Sequence, residues 1–209
     1  MSTVLVDRTD HVPLPDDVNF LVFDTETTGT GARDTVVQLA WIMFNEAGEQ
    51  LCAYNRLWRL PPKQRISRGA FKIHRISASR IDREGASVVP ELKCFLALLA
   101  TFHRRNLRIV AHNGAYDLRM IRQTAKVHAL TSAIGMDLLG RNDTVFCTMK
   151  NSRDLCNLRG NSGKRKGASN VELYTHLHGT EPTGQLHDAL ADCAITAASY
   201  VAGKRRRWW

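Results

Sequence analysis

Asn19-Phe20-Leu21-Val22-Phe23-Asp24-Thr25-Glu26-Thr27-Thr28-Gly29 is the stretch from which the rest of the chain is read. Its first half is apolar and rich in β-formers, and it runs into a turn signal at Thr28-Gly29, so a core strand is predicted. Side chains two apart on a strand leave the same face, which sets Asp24 beside Glu26 at the strand's end. Two adjacent carboxylates repel and raise a pKa unless a cation neutralises them. Oxygen ligands of this type suit Mg²⁺ or Mn²⁺. The pair reads either as such a site or as two acids on a solvated strand end. The apolar run Leu21-Val22-Phe23 before it favours the first.

Residues 35–45 (TVVQLAWIMFN) read as a second strand, and Asn45 to Gly48 as a hairpin turn into a third, 51–60 (LCAYNRLWRL). The start of the domain is therefore an antiparallel three-strand meander. Pro61-Pro62 and a mixed region, 65–77 (RISRGAFKIHRIS), follow. Pro90 opens an amphipathic helix, 90–104, at a first-turn position where its missing N–H is harmless. A fourth strand (107–113, LRIVAHN) turns at Gly114 into a helix over 115–129, with Leu118, Ile121 and Ala125 on one face. Residues 144–149 (TVFCTM) make a short fifth strand. The loop 159–169 (RGNSGKRKGAS) is glycine-rich and basic, 170–178 is a helix ended by Gly179, and the last helix lies within 187–203. This order predicts an α/β domain over 19–203, one mixed sheet with helices on its faces. A polar lead-in, 1–18, precedes it and a basic aromatic tail, Lys204-Arg205-Arg206-Arg207-Trp208-Trp209, follows.

The 209 residues suffice for one buried domain. Twenty-nine Lys and Arg against 20 Asp and Glu give a net charge of +9, suited to a polyanionic partner. Four of those cations sit in the tail, so the body is only modestly basic. The five cysteines are scattered with no CxxC spacing, which argues against disulfides and structural zinc and fits a reducing compartment. The first 17 residues lack the pattern of a signal peptide, and no apolar run reaches membrane-spanning length. The expectation is an intracellular protein, cytoplasmic or nuclear, with no membrane partner.

Two further segments carry acids. Asp117 falls in the first turn of the helix after Gly114, where the helix dipole alone explains a carboxylate. Asp188 is an N-cap candidate, so His187 lies in the loop before the last helix and Asp192 one turn inside it. That spacing suits a loop histidine reaching toward a ligand fixed on the helix. Imidazole titrates near neutrality and can accept a proton from an attacking water.

Together the three segments resemble, in order and content, the exonuclease motifs of the DEDDh family, which includes ribonuclease T and the proofreading subunits of bacterial replicases. The first motif, Asp-x-Glu-Thr/Thr-Gly, matches Asp24-Thr25-Glu26-Thr27-Thr28-Gly29. The second, His-Asn followed by an aromatic and Asp, matches His112-Asn113 and Tyr116-Asp117. The third, His-x(4)-Asp, matches His187 and Asp192. The resemblance implies a ribonuclease-H-like fold with a five-stranded mixed sheet. It further implies that Asp24, Glu26 and Asp192 hold two Mg²⁺ or Mn²⁺ ions, Asp117 completes the cluster, and His187 is the general base. The implied activity is 3′→5′ exonuclease hydrolysis of single-stranded or frayed ends, releasing nucleoside 5′-monophosphates.

Thr27 and Thr28, with His74 in the segment IHRIS, match the family's contacts to the terminal nucleotide, although Arg75 replaces a glycine there. The basic loop around Lys164-Arg165-Lys166 reads as a backbone grip or as a solvated loop. The tail reads as a phosphate and base contact, as tryptophans packed on the domain, or as an import signal. Two other readings keep the same fold: a proofreading subunit with a polymerase partner, and an inactive nucleic-acid-binding module. Against the second, all five matched positions keep the required residue types. Nothing in the residues selects DNA over RNA, or monomer over dimer.

Overall fold

The computed structural model describes residues 14–141, 143–184 and 186–209. Thirteen of the 18 lead-in residues lie outside them; of the rest, Val18 is buried and Leu14 packs against the core. Alternation within β1 (Phe20–Thr27) explains the two-sided architecture. Leu21 and Phe23 point to one face of the sheet, into a cluster with Leu92, Phe95 and Leu99 of α3 (Val88–Arg104) and Ile121 of α4 (Gly114–Val127). Phe20 and Val22 point to the other, against Ala189, Cys193, Ala197 and Tyr200 of α7 (Ala189–Arg205). Such alternation is what a strand sandwiched between helix layers requires.

The sheet has five strands in the order β3-β2-β1-β4-β5, with β2 (Val36–Phe44), β3 (Gln50–Leu57), β4 (Arg108–Ala111) and β5 (Phe146–Cys147). β1, β2 and β3 pair antiparallel, as the meander predicts, and β4 and β5 pair parallel to β1 and β4. All nine residues of β2 are buried, because it lies between two strands and under helices. The hairpin turn is built by Gly48 at φ +86°, its N–H donating to Asn45 O at 3.1 Å.

Several boundaries differ from the sequence reading. The region 65–77 contains helix α1 (Arg68–His74) and leads into α2 (Ala78–Glu84). At seven residues each they are too short to show a period, and they are started by Ser67 and Ser77, whose side chains accept from Ala70 N and Arg80 N. Helix α3 begins at Val88, so Pro90 is its third residue, still within the first turn. The fifth strand is only Phe146–Cys147, and Thr148 opens a helix the sequence hid, α5 (Thr148–Cys156), polar along most of its length. A 3-10 turn over Met136–Gly140 also went unread. Helix α6 (Asn170–His178) has a capping box from Ser169 and Glu172 and ends at Gly179 in the left-handed region, as expected.

The basic end of the chain folds back on the domain. Helix α7 continues to Arg205, Trp208 N donates to Gly203 O at 3.0 Å, and Trp209 Nε1 donates to Tyr200 O at 3.1 Å. The Trp209 ring lies 5.4 Å from that of Phe146, and Trp208 lies 5.6 Å from His176. Gly203 is the residue that permits this: a Cβ there would meet Trp209 at 2.0 Å. Gly203→Ala should therefore displace Trp209 and cost about 1–3 kcal/mol, the usual range for overpacking. A melting temperature equal to wild type would show that the indole does not hold the helix end.

Candidate active site

Asp24 and Glu26 leave β1 on the same face and meet Asp192, in the first turn of α7. One carboxylate oxygen from each of the three lies within 4.8 Å of the others, and all three residues are half-buried. Three hard oxygen donors at that separation can hold a divalent cation.

Asp117, in the first turn of α4, is buried at 3% exposure. Its Oδ1 accepts from Thr25 N at 3.1 Å and from Thr25 Oγ1 at 2.6 Å. Thr25 thus anchors the fourth acid to the strand that carries the first two. Asp117 is close enough to raise the pKa of both Asp24 and Glu26, but it stands outside the three-oxygen set. The dipole explanation for this residue is insufficient, since a carboxylate placed only for the dipole would stay solvated.

The start of α7 is clamped to the sheet by Gln38, the register partner of Glu26 on β2. Gln38 Nε2 donates to Asp188 Oδ2 and to Asn55 Oδ1, each at 2.9 Å, while Gln38 Oε1 accepts from Ala189 N at 3.3 Å. Asp188 is the N-cap, accepting from Leu190 N and Ala191 N. Sequence reasoning passed over Gln38, Asn55 and Thr25. The available signal was a glutamine inside an otherwise apolar strand, which has to find partners when buried.

His187 is exposed, in the loop before α7, with φ +61°. It is close enough for its charge to oppose the rise that burial imposes on Asp192 and to add to the lowering that burial imposes on His74. His74 is buried: its Nδ1 accepts from Ile76 N at 2.9 Å, which leaves Nε2–H to donate to Thr27 O at 3.2 Å. Burial holds it below the usual imidazole range. Thr27 Oγ1 lies 3.0 Å from Gly29 O and 2.7 Å from the Tyr116 hydroxyl. Thr28 Oγ1 donates to Asp34 Oδ1 at 2.7 Å and accepts from Thr35 N and Gln64 Nε2. The polar side-chain atoms of Thr27, Thr28 and His74 thus all face protein groups. Arg75, the C-cap of α1, adopts φ +58°, the conformation a glycine would take without strain. Beside it, Phe71 and Ile73 are exposed at 40% and 54%, a feature the sequence reading did not weigh.

His112, at the exit of β4, is half-buried. Its Nε2 lies 3.0 Å from Ala168 O, which can only accept, so Nδ1, 2.9 Å from Thr148 Oγ1, takes the acceptor role. Burial pushes its pKa down to about 4. A neutral ring here ties the exit of β4 to α5 and to the loop before α6.

The electrostatics follow from crowding. Burial raises Asp24 well above the carboxylate range, with Asp117, Asp192 and Glu26 adding to it. Glu26 is pushed up to about 8 by burial and then by Asp192 and Asp117. Asp117 is pushed up to about 7 by burial, against the stabilising bonds from Thr25. Burial also raises Asp192. This donor set fits a divalent cation: its carboxylates ionise at neutral pH when positive charge is supplied and resist doing so otherwise.

Comparison with known proteins agrees with this geometry. The exonuclease family model RNase_T matches residues 21–200. The chain is 31% identical over 192 residues to the "Uncharacterized exonuclease CP81" of Escherichia phage 186, covering 88% of this chain and 86% of the relative. Among solved structures, exonuclease I in its apo form superposes with a TM-score of 0.69 at 18% identity, over 92% of this chain and 44% of that one. A 3′-exonuclease that recognises the 3′ end of a histone mRNA stem-loop gives 0.67 at 11% identity, over 91% and 64%. E. coli exonuclease I bound to a dA16 oligonucleotide gives 0.65 at 19%, over 91% and 42%. The chain thus spans less than half the length of the exonuclease I chains it matches, and these structures show its fold to be ribonuclease-H-like. With its motifs, its acid cluster and a family match over nearly its whole length, this chain belongs to the exonuclease family of nucleases, of the DEDDh type.

Proposed function

We propose that this chain is a 3′→5′ exonuclease that uses two divalent cations, Mg²⁺ or Mn²⁺, to release nucleoside 5′-monophosphates from a free 3′ end. The observation that carries the reading is the convergence of oxygens from Asp24, Glu26 and Asp192 within 4.8 Å, beside a loop histidine. Asp24, Glu26 and Asp192 would hold the ions directly, with Asp117 completing the cluster. Bound cations supply neutralisation of the phosphate, a more acidic attacking water and a stabilised leaving oxygen. His187 accepts the proton of the attacking water, which its exposed loop position allows. Thr25, Gln38 and Asp188 keep the acids in register, because a misplacement of about 1 Å can lower a rate by 10²-fold.

The terminal nucleotide would lie against the segment from Thr27 to His74. Ser67 N donates to Thr28 O and His74 Nε2 to Thr27 O, so α1 is fastened to the end of β1. Its exposed Phe71 and Ile73 offer apolar surface for a base, and stacking of a base on an aromatic ring is worth about 1–3 kcal/mol. Single-stranded or frayed ends suit this arrangement, since only an unpaired base has a free face to stack.

With Mg²⁺ or Mn²⁺, the protein should shorten a 5′-labelled oligonucleotide stepwise, alone or faster beside a polymerase, and Asp24→Ala should abolish the activity. An intact label with both metals would end the proposal. His187→Ala should lower kcat by about 10²-fold or more, with partial recovery on adding imidazole; unchanged kcat would assign the proton to another acceptor. Phe71→Ala should raise KM about tenfold with kcat little changed, in keeping with the loss of one stacked base.

The raised acids also set a pH dependence for the metal-free protein. Their folded pKa values exceed the unfolded ones, so their contribution to stability is full below about pH 4 and is lost as pH rises through about 7 to 8. Asp24→Asn should narrow this loss, raising the metal-free melting temperature at pH 8 by about 2–4 °C per kcal/mol of repulsion removed. Mg²⁺ should raise the wild-type value more at pH 8 than at pH 6. If Asp24→Asn and wild type show the same pH profile without metal, the acids do not repel as described.

A further inference from the structure

Beyond the outermost strand β5 lies a cleft of about 810 Å³, bounded by α4, residues 139–141 with Asp143 and Val145, and α5. Its lining includes Arg108, Arg119, Arg122, Arg141 and Lys150 against a single carboxylate, Asp143. Asp143 is paired with Arg141 at 2.9 Å in full solvent, where an ion pair holds its partners only loosely. Among the described residues, Arg119, Arg122 and Lys150 enter no ion pair. Two of the guanidiniums lie over aromatic rings, Arg119 at 5.1 Å from the Tyr116 centroid and Arg108 at 5.8 Å from that of Phe146. Such stacking holds a planar cation in place without using its N–H donors.

The basic ribbon 159–166, by contrast, spends much of its charge internally. Arg165 pairs with Asp154 at 2.9 Å, Lys166 pairs with Glu172 at 2.6 Å, and Arg159 Nη1 donates to Gly163 O. Other described cations, Arg68, Lys72 and Lys126 among them, also enter no ion pair, but the β5-edge cleft gathers Arg108, Arg119, Arg122 and Lys150 into one concavity. That cleft reaches Asn113 and Gly114 at the start of α4, and Asp117 of the acid cluster lies in the same first turn.

We propose that the β5-edge cleft binds the phosphate backbone of the nucleic-acid strand upstream of its 3′ terminus. Arg122 on the α4 wall and Lys150 on the α5 wall face the strand as exposed cations, and the stacked Arg119 and Arg108 mark the two ends of its path. The inference rests on the nuclease reading for the direction in which the strand runs. It accounts for substrate length: a dinucleotide fills the acid site alone, whereas a longer strand also reaches the cleft.

The test measures binding of a labelled oligothymidylate of about 20 nucleotides, and of a labelled dinucleotide, in EDTA so that cleavage plays no part. The double variant Arg122→Gln/Lys150→Gln should bind the long strand about tenfold more weakly and lower the slope of log K against log salt by about 1.4, or 0.7 per cation removed. Lys93→Gln, an exposed cation on α3, should match wild type. The inference is overturned if the double variant matches wild type in affinity and slope, or if it weakens the dinucleotide as much as the long strand. Its failure differs from failure of the nuclease proposal. A wild type that binds through these cations but never cleaves leaves the cleft standing, and one that cleaves with binding insensitive to them removes the cleft alone.

Discussion

Carboxylates with oxygens within 4.8 Å of one another, half-buried, repel strongly, and the surrounding structure has to withstand that repulsion. Much of the polar interior serves this end. Thr25 holds Asp117 from the far face of β1, while Gln38 holds Asp188 and the first amide of α7 against β2. These hydrogen bonds are buried or, for Gln38 to Asp188, partly buried, and each would leave an unsatisfied polar group if its partner moved away. Repulsion is thereby balanced by the cost of breaking a network, which keeps the oxygens close enough to share a cation.

Helix α7 is where this restraint joins the rest of the fold. Its first turn carries Asp192, its middle packs Cys193, Ala197 and Tyr200 on the sheet, and its end is covered by Trp209. Movement of the helix along its axis would disturb core, cap and acid cluster together. Cys193 illustrates the economy: it is a small apolar side chain, fully buried, one residue from Asp192. Cys193 forms no disulfide, so packing and the hydrogen bonds from Gln38 and Trp209 hold this helix.

The meander, the two-faced β1 and the three acidic motifs were legible because each is a local pattern: a period of two, a hairpin glycine, a cap before an apolar run. The acids' convergence was legible only through resemblance, since Asp24 and Asp192 are joined by no local rule. α1, α2 and α5 were hidden because helices of only seven to nine residues carry no readable period. Gln38 and Thr25 were hidden for another reason. Their roles are defined by partners 150 and 92 positions away, and a polar residue within a strand announces only that some partner exists. The tail shows a third kind of ambiguity: cations beside tryptophans suit a nucleic acid, yet the tryptophans pack on α6 and α7.

The division between strand, helix and loop within the site follows from what each group has to do. Oxygens that share a cation need separations fixed to a few tenths of an ångström, which only packed elements provide. A proton acceptor has to approach the water after the phosphate has arrived, and this calls for a side chain that can move. His187, the proposed acceptor, lies outside α7, exposed, in a left-handed backbone conformation that histidine tolerates better than most residues. Its neighbour Asp188 is held by the cap and by Gln38, so the loop joins the helix at a fixed point one residue away. The proposed ligands thus sit on packed elements and the proposed base in an exposed loop, with the boundary between loop and helix at the peptide bond from His187 to Asp188.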